Sequence, residues 1–239
     1  MWRRPSRGLG DIMEFARAGF DIGLFSNARE PQLDFWQKTV GLAYDHMGKL
    51  GGGVQQHRHH LHDAILKMNH ARDPLPAMPP TGYAELIVAV EGRPGTHSET
   101  DPDGNRVTLA PAGKDGIDGY ALKLSANDPE ATMRFYRDVI GLEQLGDPKV
   151  FRHGKGRILI QPGEVRVIDD ADWRGPGFRY ITFQVMDAKT AFQEAEAKGA
   201  SIGAPLRELG DVVRFGFLRD PDGNMIEISE RTTFTGKAL

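Results

Sequence analysis

The sequence predicts an internally duplicated fold that mixes helices with many short strands, and three observations carry that reading. The pentapeptide Asp-Pro-Asp-Gly-Asn, followed by a strand-like run, occurs twice, at Asp101 and at Asp220. Phe-Trp-Gln-Lys-Thr-Val-Gly-Leu at 35–42 matches Phe-Tyr-Arg-Asp-Val-Ile-Gly-Leu at 135–142. Gly82-Tyr83-Ala84-Glu85 resembles Gly177-Phe178-Arg179-Tyr180. The landmarks keep one order in both copies, which is how a repeat fixes architecture before any single residue is weighed. One turn rich in Asp, Pro, Gly and Asn needs no explanation; two in the same relative place do.

Each copy opens on a strand, at 21–26 and at 119–124. A helix follows. Pro31 and Pro129 suit a first helical turn, where a missing N–H costs nothing. Leu33, Trp36 and Val40 form an apolar stripe in copy one, and Met133, Tyr136 and Ile140 form one in copy two. Gly41 and Gly141 provide left-handed stops. Short strands are expected at 53–62 and 63–69, then at 149–152 and 156–160. In copy two, Ala188, Ala191, Phe192 and Ala195 recur at helical spacing between an N-cap at Asp187 and a stop at Gly199. Copy one has only a Gly-, Pro- and Ser-containing stretch over 91–100 there, so its second helix is expected to be missing.

The division expected is an N-terminal arm over 1–16, a shortened first unit over 17–113 and a second unit over 114–239. The four prolines within 73–80 make a stiff connector inside the first unit. With 239 residues the chain can bury a proper core. It has no cysteine, which removes disulfides, thiolate ligands and a cysteine nucleophile. A net charge of −3 argues against a nucleic-acid partner. No run nears the ~20 apolar residues of a membrane span, and no signal-length apolar run follows the basic start. A cytoplasmic protein with a small-molecule partner is expected.

In combination and order, residues 135–142 after a strand and Phe217-Leu218-Arg219-Asp220-Pro221-Asp222-Gly223-Asn224-Met225-Ile226-Glu227-Ile228 near the end resemble the vicinal-oxygen-chelate superfamily: glyoxalase I, bleomycin-resistance proteins and extradiol dioxygenases. The resemblance covers about 117–231 in copy two and, more weakly, about 20–109 in copy one. It implies an α+β fold of paired βαβββ modules, whose curved mixed sheets enclose a central cup for a small oxygenated substrate. It also implies one divalent metal (Fe, Mn or Zn), held at matched positions on the first, fourth, fifth and last strands, that polarises substrate oxygens.

Taken copy by copy, those positions fall on Gly119, Ile160, Tyr180 and Glu227 in copy two, of which Glu227 alone keeps the usual type. In copy one they fall on Asp21, Lys67, Glu85 and Thr108. Asn69 shares the Lys67 strand face. Beside them runs His57-Arg58-His59-His60-Leu61-His62. As a strand it turns His57 and His59 one way and His60 and His62 the other. A metal set of Asp21, His57, His59 and Glu85 is one reading; a polar strand surface without metal is the other. Arg58, His60 and Asn69 are candidate substrate contacts, and Glu227, Tyr180, Glu85 and Lys67 candidate catalytic groups. Function divides in two. One reading is a glyoxalase- or dioxygenase-like enzyme on a small, oxygenated, possibly aromatic substrate, with a carboxylate as base in lyase or isomerase chemistry, or else ring cleavage. The alternative is a metal-free drug-sequestering protein of the bleomycin-resistance type, expected to pair as a homodimer.

Overall fold

The computed structural model describes residues 13–167 and 173–239. Most of the expected N-terminal arm lies outside them. Its described end is docked: Met13 is buried, and Phe15 bridges Val185 in antiparallel fashion.

Strand β1 (Asp21–Ser26) leads into helix α1 (Arg29–Asp34), which continues as a π-helical turn, Phe35–Thr39. Strands β2 (Tyr44–Gly51), β3 (Val54–Leu61) and β4 (Ala64–Ala71) follow. Next come β5 (Tyr83–Val90), β6 (His97–Thr100) and β7 (Arg106–Pro111), with no helix between β5 and β6, as the shortened repeat predicts. Copy two supplies β8 (Tyr120–Ala126), α2 (Pro129–Arg134) with its π-helical extension Phe135–Ile140, β9 (Glu143–Gln144), β10 (Val150–His153) and β11 (Gly156–Pro162). It ends with β12 (Gly177–Gln184), α3 (Ala188–Ala197), β13 (Ser201–Leu209), β14 (Val213–Arg219), β15 (Met225–Arg231) and a single turn, α4 (Thr232–Thr235). Pro129 opens α2 and Gly141 closes its extension with φ 87°. Asp187 caps α3, accepting from Thr190 N. These are the stops and starts that the sequence signals.

The strands form two mixed sheets. The first runs β13-β14-β15-β12-β1-β4-β3-β2 and the second β6-β7-β5-β8-β11-β10-β9. Each joins pieces of both copies. In the first, β1 pairs parallel with β4, β12 pairs parallel with β15, and β1 meets β12 antiparallel. The second repeats the pattern, with β5 parallel to β7, β8 parallel to β11, and β5 against β8 antiparallel. One large core draws Phe20, Ile22, Trp36, Leu122, Tyr136 and Phe183 from both sheets and the helices. The other sheet faces carry small clusters of their own, around Tyr180 in the first sheet and Ile87 in the second.

The two Asp-Pro-Asp-Gly-Asn turns have a further task. Asp220 Oδ1 accepts from the backbone N–H groups of Asp222 and Asn224, and Asp101 does the same for Asp103 and Asn105. The asparagines then reach across to the other copy. Asn224 Oδ1 accepts from Gly82 N at 2.7 Å, at the start of β5, and Asn105 Oδ1 accepts from Phe178 N at 3.1 Å, in β12. A side chain at residue 82 would meet Ser125 O at 2.6 Å, so this approach needs glycine.

Candidate functional site: a buried lysine in the first cup

The inner face of the first sheet gathers its polar groups from four neighbouring strands. Register places Asp21 opposite Thr182, Thr182 beside Glu227, and Gly23 beside Lys67. Side chains alternate along a strand, so Asp21 (β1), Lys67 and Asn69 (β4), Tyr180 and Thr182 (β12) and Glu227 (β15) converge. Gly23 completes the surface. A Cβ there would lie 2.1 Å from the Tyr180 ring, so only glycine lets that ring lie across β1.

Lys67 is the centre of the site. Its Nζ donates to Thr182 Oγ1 at 2.7 Å and to Glu227 Oε2 at 2.8 Å, and lies 3.3 Å from Asp21 Oδ2. The Thr182 hydroxyl donates in turn to Glu227 Oε2 at 2.5 Å. Lys67 is 1% exposed and Asp21 fully buried. Asp21 Oδ1 also accepts from Ile65 N at 3.0 Å and from the Arg17 guanidinium. Burial alone would push the Asp21 carboxyl up, but Lys67, Arg17 and Arg58 together hold it below the usual carboxylate range.

A second layer fixes Tyr180. Its hydroxyl accepts from Asn69 Nδ2 at 3.1 Å and from Gln56 Nε2 at 3.5 Å, while Asn69 Oδ1 accepts from Gln56 at 3.0 Å. Burial, then the nearby Glu227 carboxylate, push the phenol up, so it stays neutral. Arg58 lies opposite Lys67 on β3 and donates from Nη1 to Gln56 Oε1 at 3.0 Å. Its Nε is buried without a hydrogen-bond acceptor, and the nearest carboxylate oxygen, on Asp45, is 3.9 Å away. Arg17, Arg58 and Lys67 face Asp21, Glu227 and, at the rim, Asp45. Beyond Tyr180 the cup turns aromatic: Trp173 packs against Phe217 at 4.8 Å and against Phe25 and Tyr180 at 5.8 Å each.

The expected groups separate as follows. Asp21, Lys67, Asn69, Tyr180, Glu227 and Arg58 come together. Glu85 does not, because β5 belongs to the second sheet. His57 and His59 do not either: β3 turns them to the opposite face, where His57 Nδ1 meets Tyr44 Oη at 3.2 Å and His59 Nε2 meets Gln37 Nε2 at 3.3 Å. Burial lowers both imidazoles, His59 to about 4. His60 is exposed. The set Asp21, His57, His59 and Glu85 is therefore corrected. Asp21 alone stands in this cup, because strand alternation and sheet membership part the others. Thr182 and Arg17 were missed. Thr182 lies two residues beyond Tyr180 on the same face, a signal that period-2 counting could have given.

A divalent metal fits this site poorly. Asp21, Lys67 and Glu227 keep three of the matched positions, Thr182 rather than Tyr180 supplies the fifth-strand group beside them, and a metal needs lone pairs from all four. Lys67 brings a donor instead, and its ammonium occupies the space between the carboxylates. Among the described residues, no group of three or more His, Asp or Glu side chains is arranged to hold a metal ion.

Residues 116–228 match the Glyoxalase/Bleomycin resistance protein/Dioxygenase superfamily. This stretch, most of the second copy, matches that superfamily as its residues had suggested, and the same fold extends across both copies. It is similar to glyoxalase I from Zea mays, with TM-score 0.70, 12% identity and 94% of each chain covered. It is also similar to a putative dioxygenase from Bacillus subtilis subsp. subtilis str. 168, with TM-score 0.63, 13% identity and 92% of this chain and 86% of that one covered. A third likeness is the cppA protein from Streptococcus pneumoniae TIGR4, with TM-score 0.56, 10% identity and 91% of this chain and 100% of that one covered. No curated protein sequence matches the chain. At such identities these structures speak for the fold alone. No helix among the described residues is long and apolar enough to cross a membrane.

Proposed function

We propose that the protein is a glyoxalase-like lyase or isomerase that moves a proton on a small oxygenated anion in the first cup, with Lys67 as its fixed cation and Glu227 as its base. The observation that carries this reading is the buried contact of Lys67 Nζ with Glu227 Oε2 at 2.8 Å and Thr182 Oγ1 at 2.7 Å. An ammonium held by the protein supports negative charge developing on a substrate oxygen without reorganising, which is worth far more in a dry site than in water. Glu227, released from Lys67 as substrate oxygen takes its place, accepts the proton from the adjacent carbon, and Thr182 positions it. Arg58, whose Nε makes no hydrogen bond, receives the substrate's negative group. Phe25, Phe217 and Trp173 supply the wall for an apolar or aromatic part.

The test is deuterium exchange. Aromatic and aliphatic 2-hydroxy carbonyl compounds are incubated with the protein in D2O and followed by NMR. Enzyme-dependent exchange at the carbon beside the carbonyl is expected, with a loss of ~100-fold or more in E227Q. Exchange that persists in E227Q would remove Glu227 from the role.

A second reading is a binder that releases its ligand unchanged. Trp173 favours it, since the indole already closes the aromatic end of the cup. This reading expects quenching of Trp173 fluorescence by aromatic carboxylates with unaltered affinity in E227Q, and no exchange with any compound.

A further inference from the structure

The second sheet carries a constellation that the first cup does not use. Glu85 (β5) accepts from Thr108 Oγ1 (β7) at 2.5 Å and from Lys123 Nζ (β8) at 2.8 Å. The first cup has the same three residue types at the same separations: Thr182 to Glu227 at 2.5 Å and Lys67 to Glu227 at 2.8 Å. The residues sit on non-equivalent strands. Glutamate is on the fifth strand of its copy here and on the last strand there, so simple inheritance of one copied motif does not explain the match.

The two clusters differ in access. Lys67 is 1% exposed, whereas Lys123 is 34% exposed and opens on a cavity of about 200 Å³. Glu85, 6% exposed, forms its floor. Burial would raise the Glu85 carboxyl, but Lys123, Thr108 and Arg106 hold it down, so it keeps its charge. Arg106 Nε lies 3.5 Å from Glu85 Oε1. Lys114 reaches over the rim to Thr96 Oγ1 at 2.7 Å. Ser98 shares a hydrogen bond with Thr108 at 2.7 Å. Arg106, Lys114 and Lys123 outnumber Glu85 and Asp115 by one charge around the cavity. Ile87, Ala110 and Ile117 give it an apolar side.

We propose that this second cup is a separate binding site for a small monocarboxylate that bears a hydroxyl or carbonyl oxygen beside its acid group. The surplus positive charge selects a monoanion. Arg106 and Lys114 take the carboxylate in charge-assisted bonds. The neighbouring oxygen accepts from Lys123, and a hydroxyl there donates to Glu85. The apolar side leaves room for a short alkyl group. The volume sits below the ~300–1,000 Å³ of sites for drug-sized ligands, which limits the ligand to a few carbons. The site stands whether or not the first cup performs the chemistry proposed above.

The experiment is an NMR titration of the 15N-labelled full chain with 2-hydroxybutyrate, with butyrate and inorganic phosphate as comparison probes. Saturable shifts of the Glu85, Ser98, Arg106, Thr108 and Lys123 amides are expected with 2-hydroxybutyrate. Binding by butyrate, and by K123M or R106Q, is expected to weaken ~10-fold or more. Shifts confined to the first cup, or none up to about 10 mM probe, would overturn the site. So would unchanged affinity in K123M and R106Q. Phosphate binding as tightly as 2-hydroxybutyrate would overturn the carboxylate assignment.

Discussion

Lys67 carries a full charge with almost none of its surface in water, so its partners decide whether it can stay. Burying an ion costs several kcal/mol, repaid only by close and complete pairing. Here two carboxylates and a hydroxyl do so. Loss of the ammonium would leave Asp21 and Glu227 facing each other, so K67M should destabilise by about 3–5 kcal/mol. Replacement by a lone-pair donor has a different outcome. K67H would join Asp21 and Glu227 with an imidazole, a set that suits zinc or manganese. Titration calorimetry should find divalent-metal binding in K67H and none in the wild type. Stoichiometric metal retained by dialysed wild-type protein would contradict the fit drawn above.

Asp220 gives a pH signature of its own. Burial pushes its carboxyl up to about 7 in the fold, against 3.8 ordinarily. Between those values the folded chain holds a proton that the unfolded chain has released. Stability from this group is therefore fully present below about 4 and declines as pH rises towards 7. Urea melts from pH 4 to 7 should show wild-type stability falling relative to D220N, by on the order of a few kcal/mol across the range. A constant difference between the two would remove the assignment. His59 works in the other sense: lowered to about 4 by burial, it makes acid destabilising below about 6.5. The comparison with D220N cancels that contribution.

Among the elements, the repeated turns do more than reverse the chain. Asn224 satisfies the N–H of Gly82, and Asn105 that of Phe178, so each turn holds the opening of a strand in the opposite copy. N224A would leave a buried N–H without a partner, at a cost of about 1–3 kcal/mol. Thermal melts should resolve this, and hydrogen exchange at the Gly82 amide should quicken. A protected Gly82 amide in N224A would show that the clasp does not matter. These turns were legible as a repeat, and α3 and the absence of its counterpart were legible from periodicity and length. Strand β2 was not. Its residues are exposed nearly throughout and it lies at a sheet edge, so no alternation marks it. The π-helical extensions left no trace either, since their apolar stripes read as ordinary helix.

For the whole molecule, the sequence showed the landmarks and misled about their partners. Grouping the four cup positions copy by copy put Asp21 and Lys67 with Glu85, and Tyr180 and Glu227 with Gly119. The sheets pair the other way: β1 lies against β12, and β5 against β8. Nothing local decides between these pairings. Strand–strand contacts across the full chain make the choice. Lys67 and Glu227 are 160 positions apart in the sequence. Their meeting is a property of the assembled sheets, which is why the site was half legible: the residues of the first cup could be named, but their company could not.

The crossed pairing also makes the fold nested. The second sheet is one uninterrupted stretch, from β5 to β11, while the first is drawn from strands on either side of it. During synthesis, at roughly 5–20 residues per second, β1–β4 must wait with one side of β1 unpaired while the inner sheet is made. The lysine would remain hydrated until the last strand emerges from the ribosome. Only then would its carboxylate arrive and water leave, so the first cup would be the last part of the molecule to mature.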